Sequence, residues 1–434
     1  MICAAFLLVI VLTCLTVLSR RPQAPLTNPR LTTAKGIALP IIVSQPAGQT
    51  VTVRQNATFN PPGTNYYVAT NGSGGNTGLT TNSPWPLNYA VTQLGPGITL
   101  TLMPGLYSGT VHIYYVSGTA LNPATVRSQY KWQAVIANST NRGIEMWSAQ
   151  YIVLDGVCVS NCVNTGIKVM GSHNTVRNCW STHNGNISDQ DGIESNTARN
   201  ADNVFEYNLI EWNGSGAGFG HGLYVSGQNN IIRGNVVRNN GAFGIQVYTG
   251  FAGNWQNNNL VYDNLVYGHT NKYGVTIWGA DGNGLLPGTN YLLSNTILDG
   301  VSLAYGTTWV LNNIILPSPV NPAQPLYRSA SQPPIVGADY NLGTVRMRPA
   351  GAHNVTTKVA SSTLFVNARQ GLYWLSPGSP ARNAAGSACP PVDFFGRPRS
   401  SLADIGAFQY SPALTGDIRV LDPSPANPDY WSLP

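Results

Sequence analysis

Charge is scarce in this sequence. Asp, Glu, Lys and Arg make up 9% of its 434 residues, against about a quarter in an ordinary soluble protein. That shortage excludes coiled coils, salt-bridged helical bundles and a charge-rich disordered chain. Lysine is rarer still: Lys35, Lys131, Lys168, Lys272 and Lys358 are scattered and never form a run. The formal charge of +6 is spread thin. No basic stripe offers a phosphate backbone its footprint, which speaks against nucleic acid as a partner. Cysteine is sparse too, with no CxxC pair and no His/Cys cluster, so a zinc site is not expected. One apolar run, Ile2 to Leu18 followed by Arg20-Arg21, is short for a membrane span. It reads as a secretory signal over 1–19 cut after Ser19, with an uncleaved anchor as the alternative, and predicts a secreted or cell-surface chain. Cys158, Cys162, Cys179 and Cys389 would then remain. Four thiols allow two disulfides, and Cys158 with Cys162 could close a small loop.

What the chain has in quantity is turn-formers, 46 Gly and 30 Pro, and an internal repeat. Arg142-Gly-Ile-Glu-Met146, Thr165-Gly-Ile-Lys-Val169, Asp191-Gly-Ile-Glu-Ser195, His221-Gly-Leu-Tyr-Val225, Phe243-Gly-Ile-Gln-Val247 and Tyr273-Gly-Val-Thr-Ile277 align at intervals of 22 to 30 residues. Each has the period of two that marks a strand. A second register runs between them: Val204-Phe-Glu-Tyr-Asn208, Ile231-Ile-Arg-Gly-Asn235, Leu260-Val-Tyr-Asp-Asn264, Tyr291-Leu-Leu-Ser-Asn295 and Trp309-Val-Leu-Asn-Asn313. Its fifth place is usually Asn, which in a stack bonds the copies above and below. Short strands at this period, with no helical pattern, predict an all-β parallel β-helix, a solenoid of stacked coils. A β-propeller is the alternative, but its blades need about 40 residues. Ile144, Ile167, Ile193, Leu223, Ile245 and Val275 form the expected inner stack. Glu145, Lys168, Glu194, Tyr224, Gln246 and Thr276 form the outer one.

The flanks divide the chain further. Residues 20–63 read as a linker with a short strand pair, 64–410 as the β-helix with its caps, and 411–434 as a Pro-rich tail. Tyr66-Tyr-Val68, the Gly-rich stretch after it, Ser83-Pro-Trp-Pro86 and Met103-Pro-Gly-Leu-Tyr107 bracket a helix expected near Leu87 to Leu94. A cap there would cover the apolar end of the first coil. Ser379-Pro-Ala381, Asp393-Phe-Phe-Gly-Arg-Pro-Arg399 and Asp404-Ile-Gly-Ala407 form a C-terminal closing segment. Both termini resemble those of secreted right-handed parallel β-helix proteins of the pectin lyase-like fold.

Chemistry concentrates at Asp189-Gln-Asp191-Gly-Ile-Glu194, with His183 upstream and His221 and Tyr224 one coil on. Three carboxylates so close suit a hard cation such as Ca²⁺. With Cys179-Trp-Ser-Thr-His-Asn184 before them and Gly220-His-Gly-Leu-Tyr-Val-Ser-Gly227 after, these segments resemble the lysine-base β-helical pectate lyases. The resemblance implies β-elimination at uronate residues, assisted by calcium. It puts Gln190, Asp191 and Glu194 at calcium-ligand positions, a further ligand near Thr165, and the base at Tyr224. The departures are two ligand positions without a carboxylate, for which Asp189 could substitute, and Tyr in place of Lys. On this reading Asp189, Asp191 and Glu194 hold the metal or substrate, His221 or Tyr224 moves the proton, and Lys168 or Arg233 assists charge. Gln246, Tyr248, Tyr273 and Trp278, with Trp255 nearby, suit sugar stacking and hydroxyl recognition.

Plainer roles stand beside these. Glu145, Lys168 and Glu194 also read as a charge ladder on adjacent coils, and Arg177, Glu206 and Arg233 as surface pairing. The aromatic residues also read as a stacked ladder, and the Asp-rich loop as Asx-turns. The expectation is a monomeric, extracellular, polysaccharide-active protein, most simply a uronate lyase. An inverting glycoside hydrolase using Asp191 or Asp189 with Glu194 is the alternative. A non-catalytic glycan-binding or structural β-helix is the other.

Overall fold

A computed structural model describes the strands Ile42–Ser44 and Thr50–Thr52 and then residues 63–413, except 197–199, 249–255, 279–287, 332–333, 348–350 and 359. The leader, the tail beyond 413 and Trp255 lie outside the described residues. Ile42–Ser44 pairs antiparallel with Thr50–Thr52, the strand pair expected before the main domain.

From Asn65 onward the chain winds into stacked coils. Three parallel sheets result, each built from one strand per coil. The first runs over 11 strands from Asn65–Val68 to Ile335–Asp339, and the second over 11 from Gly105–Ser108 to Val355–Thr356. The third runs over 9, from Val111–Tyr114 to Leu326–Arg328. This is a parallel β-helix and not a propeller. Ile144, Ile167, Ile193, Leu223, Ile245 and Val275 stand in register on the third sheet and are fully buried, as the repeat demands. Alternation then turns every intervening side chain outward.

The corners follow from residue chemistry. A residue at positive φ makes the bend and an Asn follows it: Tyr207 before Asn208, Asp263 before Asn264, Ser294 before Asn295. Each Asn side chain answers backbone groups of the coils on either side. Asn235 Oδ1 accepts from Asn208 N–H at 3.0 Å, and its Nδ2 donates to Phe205 O and to Asn264 Oδ1, both at 2.9 Å. The same ladder continues through Asn295, Asn313, Asn341 and Asn354. Parallel columns run through Asn174, Asn203, Asn230, Asn259 and Asn290, and through Asn184, Asn213 and Asn240. These amides give the backbone N–H and C=O groups they meet at the corners partners within the protein.

The first coil is capped as the sequence suggests, and the C-terminal segment lies along the side of the stack. Helix Leu87–Ala90 and the 3₁₀ turn Val91–Gln93 lay Leu87, Ala90 and Val91 onto the core. Trp85 anchors them, stacked on Tyr66 at 4.1 Å and donating its indole N–H to Asn76 O at 2.7 Å. In the C-terminal segment Leu372, Trp374, Phe394 and Phe408 cover Leu209, Val236 and Leu265 on the outer face of the second sheet. Arg399 ties that segment down by donating to Asp263 at 2.6 Å inside the protein.

Cys158, Cys162, Cys179 and Cys389 are free thiols, not disulfides. Cys162 and Cys179 point into the central core, while Cys158 faces outward under Trp132 and Trp374. The bend at Asn161, at a φ of 54°, ends the strand Cys158–Ser160 and turns Cys162 to the inside, away from Cys158. Burial raises all four thiols above their ordinary value.

The Asn ladder predicts a specific cost. Asn235→Ala strips fully buried partners from two neighbouring coils, and each orphaned group costs about 1–3 kcal/mol. Urea unfolding should show roughly 3 kcal/mol lost; a loss under about 1 kcal/mol would mean the ladder is incidental.

Candidate active site

The outer face of the third sheet carries the polar cluster. One outward column is His112, Glu145, Lys168, Glu194, Tyr224, Gln246 and Thr276, each in register with the next. Beside it, just before each strand, stand Arg142, Thr165, Asp191, His221 and Phe243. Their carbonyls take the glycine N–H of the preceding coil, as Asp191 O does from Gly166 at 3.1 Å and His221 O from Gly192 at 2.9 Å. The repeat Gly is forced here: a Cβ on Gly192 would meet the Gly222 carbonyl oxygen at 2.8 Å and Asn213 Nδ2 at 2.6 Å.

Lys168 lies between two carboxylates. Its ammonium bonds Glu194 Oε1, and Glu145 is its partner on the other side in the strand register. Glu194 Oε2 accepts from the Thr165 hydroxyl at 3.0 Å. Glu145 takes Arg142 at 2.5 Å and the Tyr114 hydroxyl. His112 Nδ1 stands 3.5 Å from it. So the charge-ladder reading holds for Lys168 with Glu194, while Glu145 takes its charge partner from Arg142 on its own coil. Arg142, His112 and Tyr114 went unremarked in the sequence; their signal was the alignment of His112 with Glu145.

Asp191 is different. It is 4% exposed, and its Oδ1 accepts the His221 backbone N–H at 2.8 Å. Burial, and then the neighbouring Glu194 charge, pushes its carboxyl well above the ordinary carboxylate value, against the pull of Lys168. His221 is buried, with its Nδ1 accepting the Phe243 N–H at 3.2 Å, which leaves the proton on Nε2. Burial lowers it to about 3, so the ring is neutral. Tyr224 sits edge-on to that ring at 5.8 Å. Burial, and then Asp191, raises its hydroxyl above its usual value, so it keeps its proton at neutral pH.

Asp189 does not join them. Its Oδ2 accepts from Phe219 N–H at 2.7 Å and its Oδ1 from Ser215 N–H at 3.0 Å, which staples the Gly-rich loop 214–220. Burial pushes its carboxyl up, but those N–H groups and that of Gly220 outweigh it and hold it below its ordinary value. The expected calcium triad is therefore not assembled. Asp189 is spent on a loop and Glu194 on Lys168 and Thr165. Among the described residues no three His, Cys, Asp or Glu side chains gather as a metal site. Gln190 only donates to Ser188 O at 3.4 Å.

Arg233 keeps the pairing with Glu206 that the sequence suggests and does not join the site as a charge-assisting residue. It lies on the first sheet, where its Nε donates to Glu206 at 2.7 Å and an outer nitrogen approaches Tyr262 Oη at 3.3 Å. The second-register repeat assigns it to a face away from Tyr224. Of the expected sugar-stacking residues, Tyr248 stands 6.3 Å from Tyr224 and 5.0 Å from Trp278, ring to ring. Tyr273 turns instead to Tyr327, stacked at 5.8 Å, and accepts from Asn321. Among the described residues, four buried polar atoms on the third-sheet face have no partner: Arg142 Nε, Gln246 Oε1, Trp278 Nε1 and Asn196 Oδ1. Such atoms are costly unless a ligand meets them. Tyr114 and Trp147 lie exposed towards the N-terminal end of the same face.

Residues 66–306 match the family model described as the Pel9A-like, right handed beta helix region. Pectate lyase L from Dickeya chrysanthemi is 32% identical over 172 residues, which are 36% of this chain and 40% of that protein. Pectate disaccharide-lyase from the same organism is 32% identical over 133 residues, 28% of this chain and 17% of that enzyme. The chain thus aligns with well under half of each of these relatives. The crystal structure of pectate lyase Pel9A matches the fold with a TM-score of 0.53 at 18% identity, covering 80% of this chain and 96% of that one.

The strained carboxyl makes a stability prediction. Asp191 in the folded state binds its proton more tightly than in the unfolded chain, where it titrates near 3.9. Its contribution is present at acid pH and is lost as pH rises through the raised value. Asp191→Asn keeps an acceptor for His221 N–H and removes that loss. Its melting midpoint at pH 8 should exceed the wild type's by about 2 °C or more, and the gap should close near pH 4. Parallel melting curves at the two pH values would refute this.

Proposed function

The chain belongs to the Pel9A-like right-handed β-helix family, and on that premise we propose that it is an extracellular lyase of uronate-containing polysaccharides, working on the outer face of the third sheet. One observation carries the reading. Asp191, Tyr224 and Lys168 meet within three consecutive coils, beside the unpartnered Gln246 Oε1 and Trp278 Nε1. Elsewhere Arg233 and Arg238 are already spent on Glu206 and Glu211, and the closing segment covers the second sheet. Pectate lyases among the relatives suggest the substrate class.

In β-elimination a base takes the proton on the carbon next to the uronate carboxylate. The bond to the leaving sugar oxygen breaks, that oxygen gains a proton, and a carbon–carbon double bond remains. Asp191, once ionised, is a stronger base than an ordinary carboxylate because its pKa is raised. Tyr224 holds a proton to give to the leaving oxygen. The Lys168 ammonium and the neutral Nε2–H of His221 supply positive potential and a hydrogen bond for the charge that develops on the substrate carboxylate. Tyr248 and Trp278 offer ring faces to neighbouring sugars.

The test mixes the full chain with a panel of uronate polymers and follows both the ultraviolet band of the unsaturated product and new reducing ends. The band should grow, and fall at least about 100-fold in rate in Asp191→Asn and in Tyr224→Phe. The rate should climb with pH through a limb above the ordinary carboxylate range. Reducing ends without the band would make the protein a hydrolase. Silence across the panel would favour a binding module.

A further inference from the structure

The family resemblance leads one to expect calcium in this cleft, yet the donor set does not suit it. Calcium takes six to eight oxygens at about 2.3–2.6 Å. Asp189 has given both oxygens to backbone N–H groups, and Glu194 has given one to Lys168 and one to Thr165. The positions aligned with further ligands are Thr165 and Gln190, neither a carboxylate. One Asp191 oxygen already takes the His221 N–H, which leaves the other.

We propose that the Lys168 ammonium is the resident cation of this cleft and takes the place a divalent ion would fill. Three buried carboxylates lie on the two coils that flank it, on Glu145, Asp191 and Glu194, at 4%, 4% and 6% exposure, with Arg142 answering Glu145. Without a central positive charge they would repel one another in a medium that screens poorly. Lys168 is the cation that reaches them from the middle coil. It bonds Glu194 directly, faces Glu145 in register, and draws the Asp191 carboxyl towards its charged form. An ammonium carries three donors and a single charge, so it leaves capacity for an incoming uronate carboxylate. The role assigned to the substrate carboxylate rests on the function proposed above, but the cation assignment does not.

Calcium binding tests it without any turnover. Calorimetric titration of the full chain with calcium chloride should give no saturable heat up to ~1 mM, the weak end of extracellular calcium sites. Its melting midpoint should be the same in calcium and in chelator. Lys168→Met keeps the aliphatic stem and frees Glu194 Oε1, leaving it to act with the open oxygen of Asp191. It should bind calcium one-to-one with a Kd below ~1 mM and melt higher in calcium than in chelator. Saturable binding by the wild type, or a chelator-lowered midpoint, would overturn the assignment. So would a folded Lys168→Met that gains no calcium affinity. If that variant fails to fold, the wild-type titration decides alone. Absence of lyase activity would sink the proposed function and leave this result standing.

Discussion

Everything in this protein depends on one repeat distance. Neighbouring coils hydrogen-bond strand to strand at about 4.8 Å, so any residue type recurring once per coil becomes a column. Apolar columns fill the interior, and Asn columns turn the corners. The spacing leaves an inward branched residue no room to wander, and it leaves the repeat glycines no room for a side chain. The composition follows from this. A solenoid that satisfies its backbone through Asn amides and its core through Ile and Val needs few charges to stay folded.

The same distance makes the few charges interact strongly. On the third sheet, Glu145, Lys168 and Glu194 are brought together by the winding although 23 and 26 residues separate them in sequence. Their side chains have nowhere else to go, since the coils above and below are also occupied. Asp191 stands one column aside, where it feels the Lys168 charge without an ion pair of its own. The lattice thus sorts carboxylates into neutralised and unneutralised kinds by a difference of three residues. An unneutralised carboxyl next to a phenol that holds its proton is a proton-handling pair.

The sequence showed six of the nine coils of the third sheet, their inner stack, the Asn corners and the terminal segments, because each is written as a repeat or a contiguous motif. Asp191, Glu194, His221 and Tyr224 were legible for the same reason. Asp189 was not, because its partners are N–H groups of loop 214–220, and backbone donors leave no mark in a sequence. The site role for Arg233 fell away because a period in sequence says that two segments repeat but not which faces they form. The thiols were misjudged because a corner at Asn161 falls between Cys158 and Cys162, and a short spacing does not reveal the bend that sends them to opposite faces. Tyr273 lost its sugar-facing role to Tyr327, which lies two coils further along.

A stack of coils comes undone from its ends, one rung at a time, like a spring unwound from its last turn. The closing segment alters that. Arg399 reaches back 136 residues to Asp263, in the body of the stack, and is buried there with its carboxylate. The last coils cannot peel away while that clasp holds, since the chain beyond them is fastened to a rung they would have to leave behind. Breaking it strands a charge inside the protein, a step costing several kcal/mol. Unravelling is thereby changed from a graded process into one with a threshold, so the time the chain stays folded is set by the height of one barrier.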